Sequence, residues 1–203
     1  GIELLNFYKQ MLLDLSQNQN ELIASIYANA QTRLREPRHL QQLINEFDKL
    51  DWFSIKADGL GDLYEGLLEK NATETKSGAG QYFTPRPLIN SIVRCIQPKP
   101  SEVIQDPACG TAGFLIAADA YIRQHNDLYA LTEQETQFYT LDAFVGVELV
   151  PNTRRLAQMN CLLHDIGGEQ GAIKLGNSLG PVGQALPKAD VILANPPFGT
   201  SKG

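Results

Sequence analysis

Cysteine is scarce in this chain of 203 residues. Cys95, Cys109 and Cys161 are odd in number and no C-x-x-C spacing occurs, which argues against a disulfide framework or a zinc site and for free thiols in a reducing compartment. The three histidines, His39, His125 and His164, lack metal-ligand spacing, so no metal is expected. No apolar run reaches membrane-spanning length, so no transmembrane helix is expected. Signal-peptide patterning and an initiator Met are also missing; the first residues, "GIELLNF", read as the inside of a helix, and both ends are expected to be trimmed. Excess positive charge is the last absence. Residues 1–75 carry 7 Lys/Arg against 12 Asp/Glu, and residues 76–203 carry 10 against 11, for a net charge of -6. Such a chain holds DNA phosphates poorly by itself. A nucleic-acid substrate would need basic surface supplied largely from elsewhere, with local help from Arg154 and Arg155.

What is present is a real core: 43% of residues are apolar and 20% charged, as in ordinary globular domains. Residues 1–75 read as a helical N-terminal domain. "NELIASIYANAQTRL" sets Leu22, Ile23, Ile26, Tyr27, Ala30 and Leu34 on one helical face, Pro37 opens a further helix, and "GDLYEGLLEK" is a short one. "NATETKSGAG" reads as a linker or loop. Residues 76–203 form a second domain of alternating elements, expected to be incomplete at its C-terminal end. "TPRPLINSIVRCI" is an amphipathic helix with Thr84 at the N-cap and Pro85 at the first helical position. Strands are expected in "EVIQDPACG", "AFVGVEL", "AIKLGNSL" and "ADVILANPP", with helices through Phe114–Ile122 and Leu156–Leu163 between them. Residues 123–140 read as a polar insertion. This alternation predicts an α/β fold, a doubly wound parallel sheet preceded by helices.

Ligands of such sheets bind beyond the carboxyl ends of the strands. The first strand ends in "DPACGTAGF", with Asp106 as a carboxylate and Gly110 and Gly113 allowing a tight turn and close backbone approach; a plain β-α turn is the alternative. No Walker lysine follows, which argues against a nucleoside triphosphate. The second strand ends in Glu148, suited to ribose hydroxyls or simply to a helix start. After the third, Asn177 suits an adenine edge or a turn. The fourth ends in Asn195-Pro196-Pro197-Phe198. The prolines remove two N–H groups and fix two φ angles, so free carbonyls and the Asn oxygen form a fixed acceptor pair. Such a pair suits an amine on a planar ring, on which Phe198 can stack.

"GDLYEGLLEK", "GAGQYFTPRPL", "DPACGTAGFL", "GVELVPNTRRLAQMNCLLH" and "DVILANPPFGT" stand in the order that resembles S-adenosylmethionine-dependent methyltransferases of DNA adenine N6. Among these, they are most similar to the modification (M) subunit of type I restriction–modification systems. The resemblance is strong over residues 58–203 and looser before them. It implies a Rossmann-like methyltransferase sheet with S-adenosylmethionine as cofactor. Carried over residue by residue, it implies that Gln81, Tyr82, Phe83, Thr84, Pro85 and Arg86 close over the methionine portion of the cofactor. Asp106, Pro107, Ala108, Gly110, Thr111, Ala112 and Gly113 form the cofactor turn, with Asp106 toward the ammonium. Glu148 takes the ribose hydroxyls and Asn177, where related enzymes often carry Asp, the cofactor adenine. Asn195, Pro196, Pro197 and Phe198 hold a flipped target adenine. The partners implied are double-stranded DNA, a specificity subunit that sets the sequence recognised, a restriction subunit and more than one M subunit, in a prokaryotic cytoplasm.

Two other readings use the same residues. "NPPF" serves planar nitrogens generally, so a protein glutamine amide or an RNA adenine is a rival substrate. A non-catalytic cofactor-binding module is the reading from a different class.

Overall fold

The computed structural model describes residues 1–52, 54, 59–74 and 84–196. Two compact units divide the chain, Gly1–Leu63 and Tyr64–Gly203.

The first unit is helical, with α1 (Ile2–Ser16), α2 (Glu21–Tyr27), α3 (Pro37–Phe47) and the start of α4 (Leu60–Glu74). Its buried side chains include Leu5, Leu12, Leu22, Ile26 and Leu40. Asn20 Oδ1 accepts the Ile23 N–H at 3.1 Å and so caps α2. That helix was expected to run to Leu34 but stops at Tyr27. Asn29 takes a left-handed φ of 57°, a conformation Asn tolerates better than most residues, and one that ends a helix. Residues Asn71–Glu74, read from sequence as loop, continue α4; residues 75–80 of that stretch lie outside the described set. The division between the units falls within α4, because Tyr64 and Glu65 are bonded to elements of the second unit.

The second unit holds α5 (Arg86–Ile96), β1 (Ile104–Asp106), α6 (Gly113–His125), α7 (Glu133–Leu141), β2 (Phe144–Glu148), α8 (Pro151–Leu163), β3 (Ile173–Leu175), α9 (Pro181–Gln184) and β4 (Val191–Ile192). The four strands expected from sequence form one parallel sheet in the order β3-β2-β1-β4. The chain steps outward from β1 to β3 and then returns to the other side of β1. Strand order therefore reverses between β1 and β4, which opens a crevice at their carboxyl ends. Ile104 pairs with Phe144 on one side and Val191 on the other. Around them Val93, Leu115, Ile122, Val147 and Ile173 are at most 1% exposed.

Several local expectations need correction. Residues 123–140 are no mere insertion. They complete α6 and contribute α7, which opens on a capping box between Thr132 and Glu135 and buries Tyr139. The Tyr139 hydroxyl donates to Asp119 of α6, which also pairs with Arg123. In α8 the face turned inward is Ala157, Gln158, Asn160 and Cys161, while Leu156 is 43% exposed. Gln158 is buried because its amide bonds the Ile173 N–H and C=O, extending the hydrogen bonding of β3. Arg154, a candidate for phosphate contact, donates to the same Ile173 carbonyl. Thr84 is not the N-cap of α5. Pro85, with ψ 134°, holds that position, and its carbonyl accepts from Leu88 and Ile89. Ile192 of β4 is 64% exposed, while Leu193 just beyond it is buried.

Gly146 sits at the centre of β2, where an added Cβ would lie 2.6 Å from Ile173 Cδ1 and 3.1 Å from Cys109 Sγ. Overpacking of this kind costs about 1–3 kcal/mol. Gly146→Ala is expected to lower the urea midpoint accordingly without changing the slope; an unchanged midpoint would show that the neighbours yield freely.

Candidate functional site

The carboxyl ends of β1, β2 and β4 bring together Asp106, Glu148 and Asn195. β1 delivers Asp106 because Ile104 and Gln105 are locked between two neighbouring strands. Its carboxylate is 1% exposed and accepts the Ala108 N–H at 3.0 Å. Burial pushes the acid up to about 7; the Ala108 N–H opposes the shift and the Glu148 charge adds to it.

The turn after β1 is pinned to β2. The Cys109 N–H donates to Val147 O at 3.0 Å, and the Cys109 thiol is buried, which pushes its pKa upward. Gly110 has φ +55°, and a Cβ there would meet nothing within 4 Å. The backbone is thus left-handed beside open space, which lets a ligand approach the main chain. Ala112 has φ +68° without being Gly, a conformation costing about 1 kcal/mol or more. Its N–H donates to Cys109 O at 2.7 Å, closing the turn. Gly113 has a different reason. Its missing Cβ makes room for Ile89 Cδ1, 3.1 Å from where that Cβ would lie, so α6 can sit close on α5. Pro107, Ala108 and Thr111 line the same turn, half-buried.

Glu148 ties this turn to the next one. Its Oε2 accepts the Gly110 N–H at 3.0 Å and its Oε1 the Val150 N–H at 2.7 Å. Each carboxylate oxygen keeps a further lone pair for a ligand hydroxyl. Asn177 is exposed beyond β3, and its Oδ1 accepts the Leu179 N–H at 2.9 Å, the geometry of an Asx turn.

Asn195 follows β4, half-buried, and its Nδ2 donates to Thr84 Oγ1 at 3.0 Å. A donor used in this way leaves Oδ1 as an acceptor. Pro196 beside it is exposed. Thr84 thus contributes its hydroxyl to Asn195 instead of to a helix cap. Pro85 begins α5, and Arg86 pairs with Glu65 of α4. Gln81, Tyr82, Phe83, Pro197 and Phe198 lie outside the described residues.

Sequence reasoning missed three participants. Glu65 and Asn160 sit behind the turn, with Asn160 Nδ2 donating to Thr111 O at 2.9 Å and to Glu65 Oε1 at 3.3 Å. Gly146 clears the space that Cys109 fills. None of the three had a local signal, because the apolar residues of α8 mark a different face from the one that Asn160 turns inward.

A family model described as N-6 DNA Methylase matches residues 55–202. The methylase subunit of the type I restriction enzyme EcoKI from Escherichia coli (strain K12) is 52% identical over 211 aligned residues, covering 100% of this chain and 40% of that protein. A crystal structure of the EcoKI M protein aligns with TM-score 0.55 and 44% identity, over 100% of this chain and 37% of that one. The methyltransferase subunit of a type I restriction-modification system from Streptococcus thermophilus aligns with TM-score 0.69 and 25% identity, over 93% and 40%. The chain spans about 40% of the length of the curated relatives it matches most strongly.

The buried Asp106 has a consequence for stability. Its folded pKa lies above its ordinary 3.8, so its favourable contribution is present below about pH 4 and is lost as pH rises through about 7. Asp106→Asn keeps an acceptor for Ala108. It is expected to melt at a higher temperature than the parent at pH 8, with the difference shrinking toward pH 4 in thermal scans. A variant less stable at pH 8 would contradict this electrostatic account.

Proposed function

Because this chain belongs to the N-6 DNA methylase family, we propose that it forms the cofactor-binding and amine-orienting part of a DNA adenine-N6 methyltransferase of the type I modification kind, using S-adenosylmethionine. The observation that carries the reading is the pairing of β1 with β4. It sets the Asp106 turn beside Asn195, whose amide is turned by Thr84. The donor set fits such a cofactor. A buried carboxylate that resists ionisation gains from an ammonium partner, Gly110 leaves its main chain open, and Glu148 has lone pairs to spare for a diol.

The bound cofactor supplies an electrophilic methyl group on a sulfonium. The protein's task is then mostly positioning. Asp106 and the Gly110 turn hold the donor at the end of β1. Glu148 keeps that turn in place through the Gly110 N–H while accepting from the ribose. Asn195 Oδ1 and a carbonyl of the Pro-Pro turn accept the two protons of the target amine. Accepting both protons would favour a pyramidal nitrogen with its lone pair free to react, and no His or Glu base would be needed before attack. Phe198 stacks on the adenine, which must leave the duplex to bring N6 within reach; such stacking is worth ~1–3 kcal/mol. Asn177 faces the cofactor adenine. The motif that runs through Gln81, Tyr82, Phe83, Thr84, Pro85 and Arg86 would hold its methionine end, as the resemblance implies.

The acidic balance suits a subunit that meets DNA together with partners. These are a specificity subunit that reads the sequence, further M copies, and a restriction subunit. The free thiols Cys95, Cys109 and Cys161 suit a reducing prokaryotic cytoplasm. Among the described residues no helix is long and apolar enough to cross a membrane.

In the full-length protein with its partners, Asn195→Ala is expected to lower labelled methyl transfer to DNA by about 100-fold or more, as the loss of a positioned polar group does elsewhere. Cofactor affinity by calorimetry should stay close to that of the parent. Thr84→Val, which removes only the hydroxyl that orients Asn195, should lower transfer by about tenfold. Parental rates in Asn195→Ala, or methyl transfer to RNA or protein in preference to DNA, would overturn the reading.

A further inference from the structure

Behind the site, α4, α5, α8 and the turn after β1 are linked through two side chains, Glu65 and Asn160. Glu65 of α4 is 13% exposed and pairs with Arg86, the first residue of α5. Its other oxygen accepts from Asn160 Nδ2 of α8 at 3.3 Å. That same nitrogen donates to Thr111 O at 2.9 Å, in the turn after β1. Two residues before Arg86 stands Thr84, whose hydroxyl accepts from Asn195. A polar path therefore runs from the cofactor turn through Asn160, Glu65 and Arg86 to the segment that orients the amine acceptor.

The orientation of Asn160 is forced. Both of its close neighbours, Glu65 Oε1 and Thr111 O, are acceptors, so the amide nitrogen must face them. The cost shows on its other atom. Asn160 Oδ1 is buried without a hydrogen-bond partner among the described residues. Such an orphan costs free energy and calls for an explanation. A buried carboxylate–guanidinium pair is likewise weak evidence for stability, because desolvation offsets much of the attraction. Here, however, it fixes where α5 begins.

We propose that Glu65 is a positioning residue for methyl transfer. By holding Arg86 and Asn160 together, it sets the turn after β1 against the start of α5, and through Thr84 the approach of Asn195. This rests on the methyltransferase reading above.

The test uses the full-length protein with S-adenosylmethionine, measuring cofactor affinity by calorimetry, Tm, and kcat at saturating cofactor on DNA. Glu65→Ala is expected to weaken cofactor binding and to lower kcat, each by about tenfold, the scale of one lost charge-assisted hydrogen bond. It should also lower Tm, because Arg86 loses its carboxylate. Adding Arg86→Gln should recover Tm without recovering kcat. Glu65→Gln keeps one acceptor oxygen but turns an amide nitrogen toward Arg86 or Asn160. It should lower Tm less than Glu65→Ala and retain about a third of the parental kcat, counted per cofactor-binding site well below Tm so that loss of folded protein alone would not lower it, and it decides the matter if Glu65→Ala does not fold. Parental affinity and kcat in Glu65→Ala, parental kcat in Glu65→Gln, or kcat recovering along with Tm in the double variant would each overturn the proposal. A parent that binds S-adenosylmethionine yet methylates no adenine would sink the reading of function, while the variant affinities still decide the role of Glu65. A parent that binds no cofactor overturns both.

Discussion

The geometry of the sheet end depends on one carboxylate that never leaves the backbone. Glu148 accepts the Gly110 N–H with one oxygen and the Val150 N–H with the other. The first bond holds the turn after β1; the second holds Val150, the residue before α8. Both N–H groups belong to segments that have left regular structure, where an unpaired donor would be costly. With Cys109 N–H on Val147 O, the turn is fixed to β2 at two points. Gly110 can therefore keep its left-handed backbone beside open space without the loop collapsing into it. The negative charge of Glu148 adds to the burial that keeps Asp106 hard to ionise.

The sheet itself was legible because its signals are local. "VIQD", "FVGVE" and the Pro- and Gly-bounded helices between them announce their type within a few residues. The failures come from tertiary context. Nothing in the apolar spacing of "ELIASIYANAQTRL" shows that Asn29 will turn left-handed and end α2. The polar composition of residues 123–140 hid α7, although "TEQE" carries a capping box. In α8 the apolar residues mark the wrong face. Gln158 and Asn160 turn inward because β3 and the turn after β1 offer main-chain partners, and the Leu156 side is left outside.

The site divides along the same line. The placement of Asp106, Gly110, Glu148 and Asn195 at or just beyond strand ends could be read from their motifs, because the alternation of elements marks where each strand stops. What the motif could not show is how each is held. The partner of Asn195 is 111 residues away, at Thr84, a residue whose place before two nearby prolines made it look like a helix cap. Glu65 meets Asn160 across 95 residues. Contacts of that range follow from the order of strands in the sheet, and no window of sequence contains them.

The costs in this unit are not spread evenly. An acid pushed up to about 7 by burial, a non-glycine residue at φ +68° and an orphaned amide oxygen on Asn160 all lie on or against the turn after β1. The Asp119–Arg123–Tyr139 cluster beneath α7, by contrast, is fully bonded. Each of the three costs opposes folding by an amount comparable with a single hydrogen bond or more. A turn serving only to connect a strand to a helix would have cheaper solutions, a glycine at Ala112 being one. Concentrated cost at one sheet end is what a ligand-binding turn carries when its geometry answers to something other than its own stability. An ammonium beside Asp106 would relieve the largest of the three by stabilising the ionised acid. The destabilised turn therefore coincides with the site proposed for the cofactor.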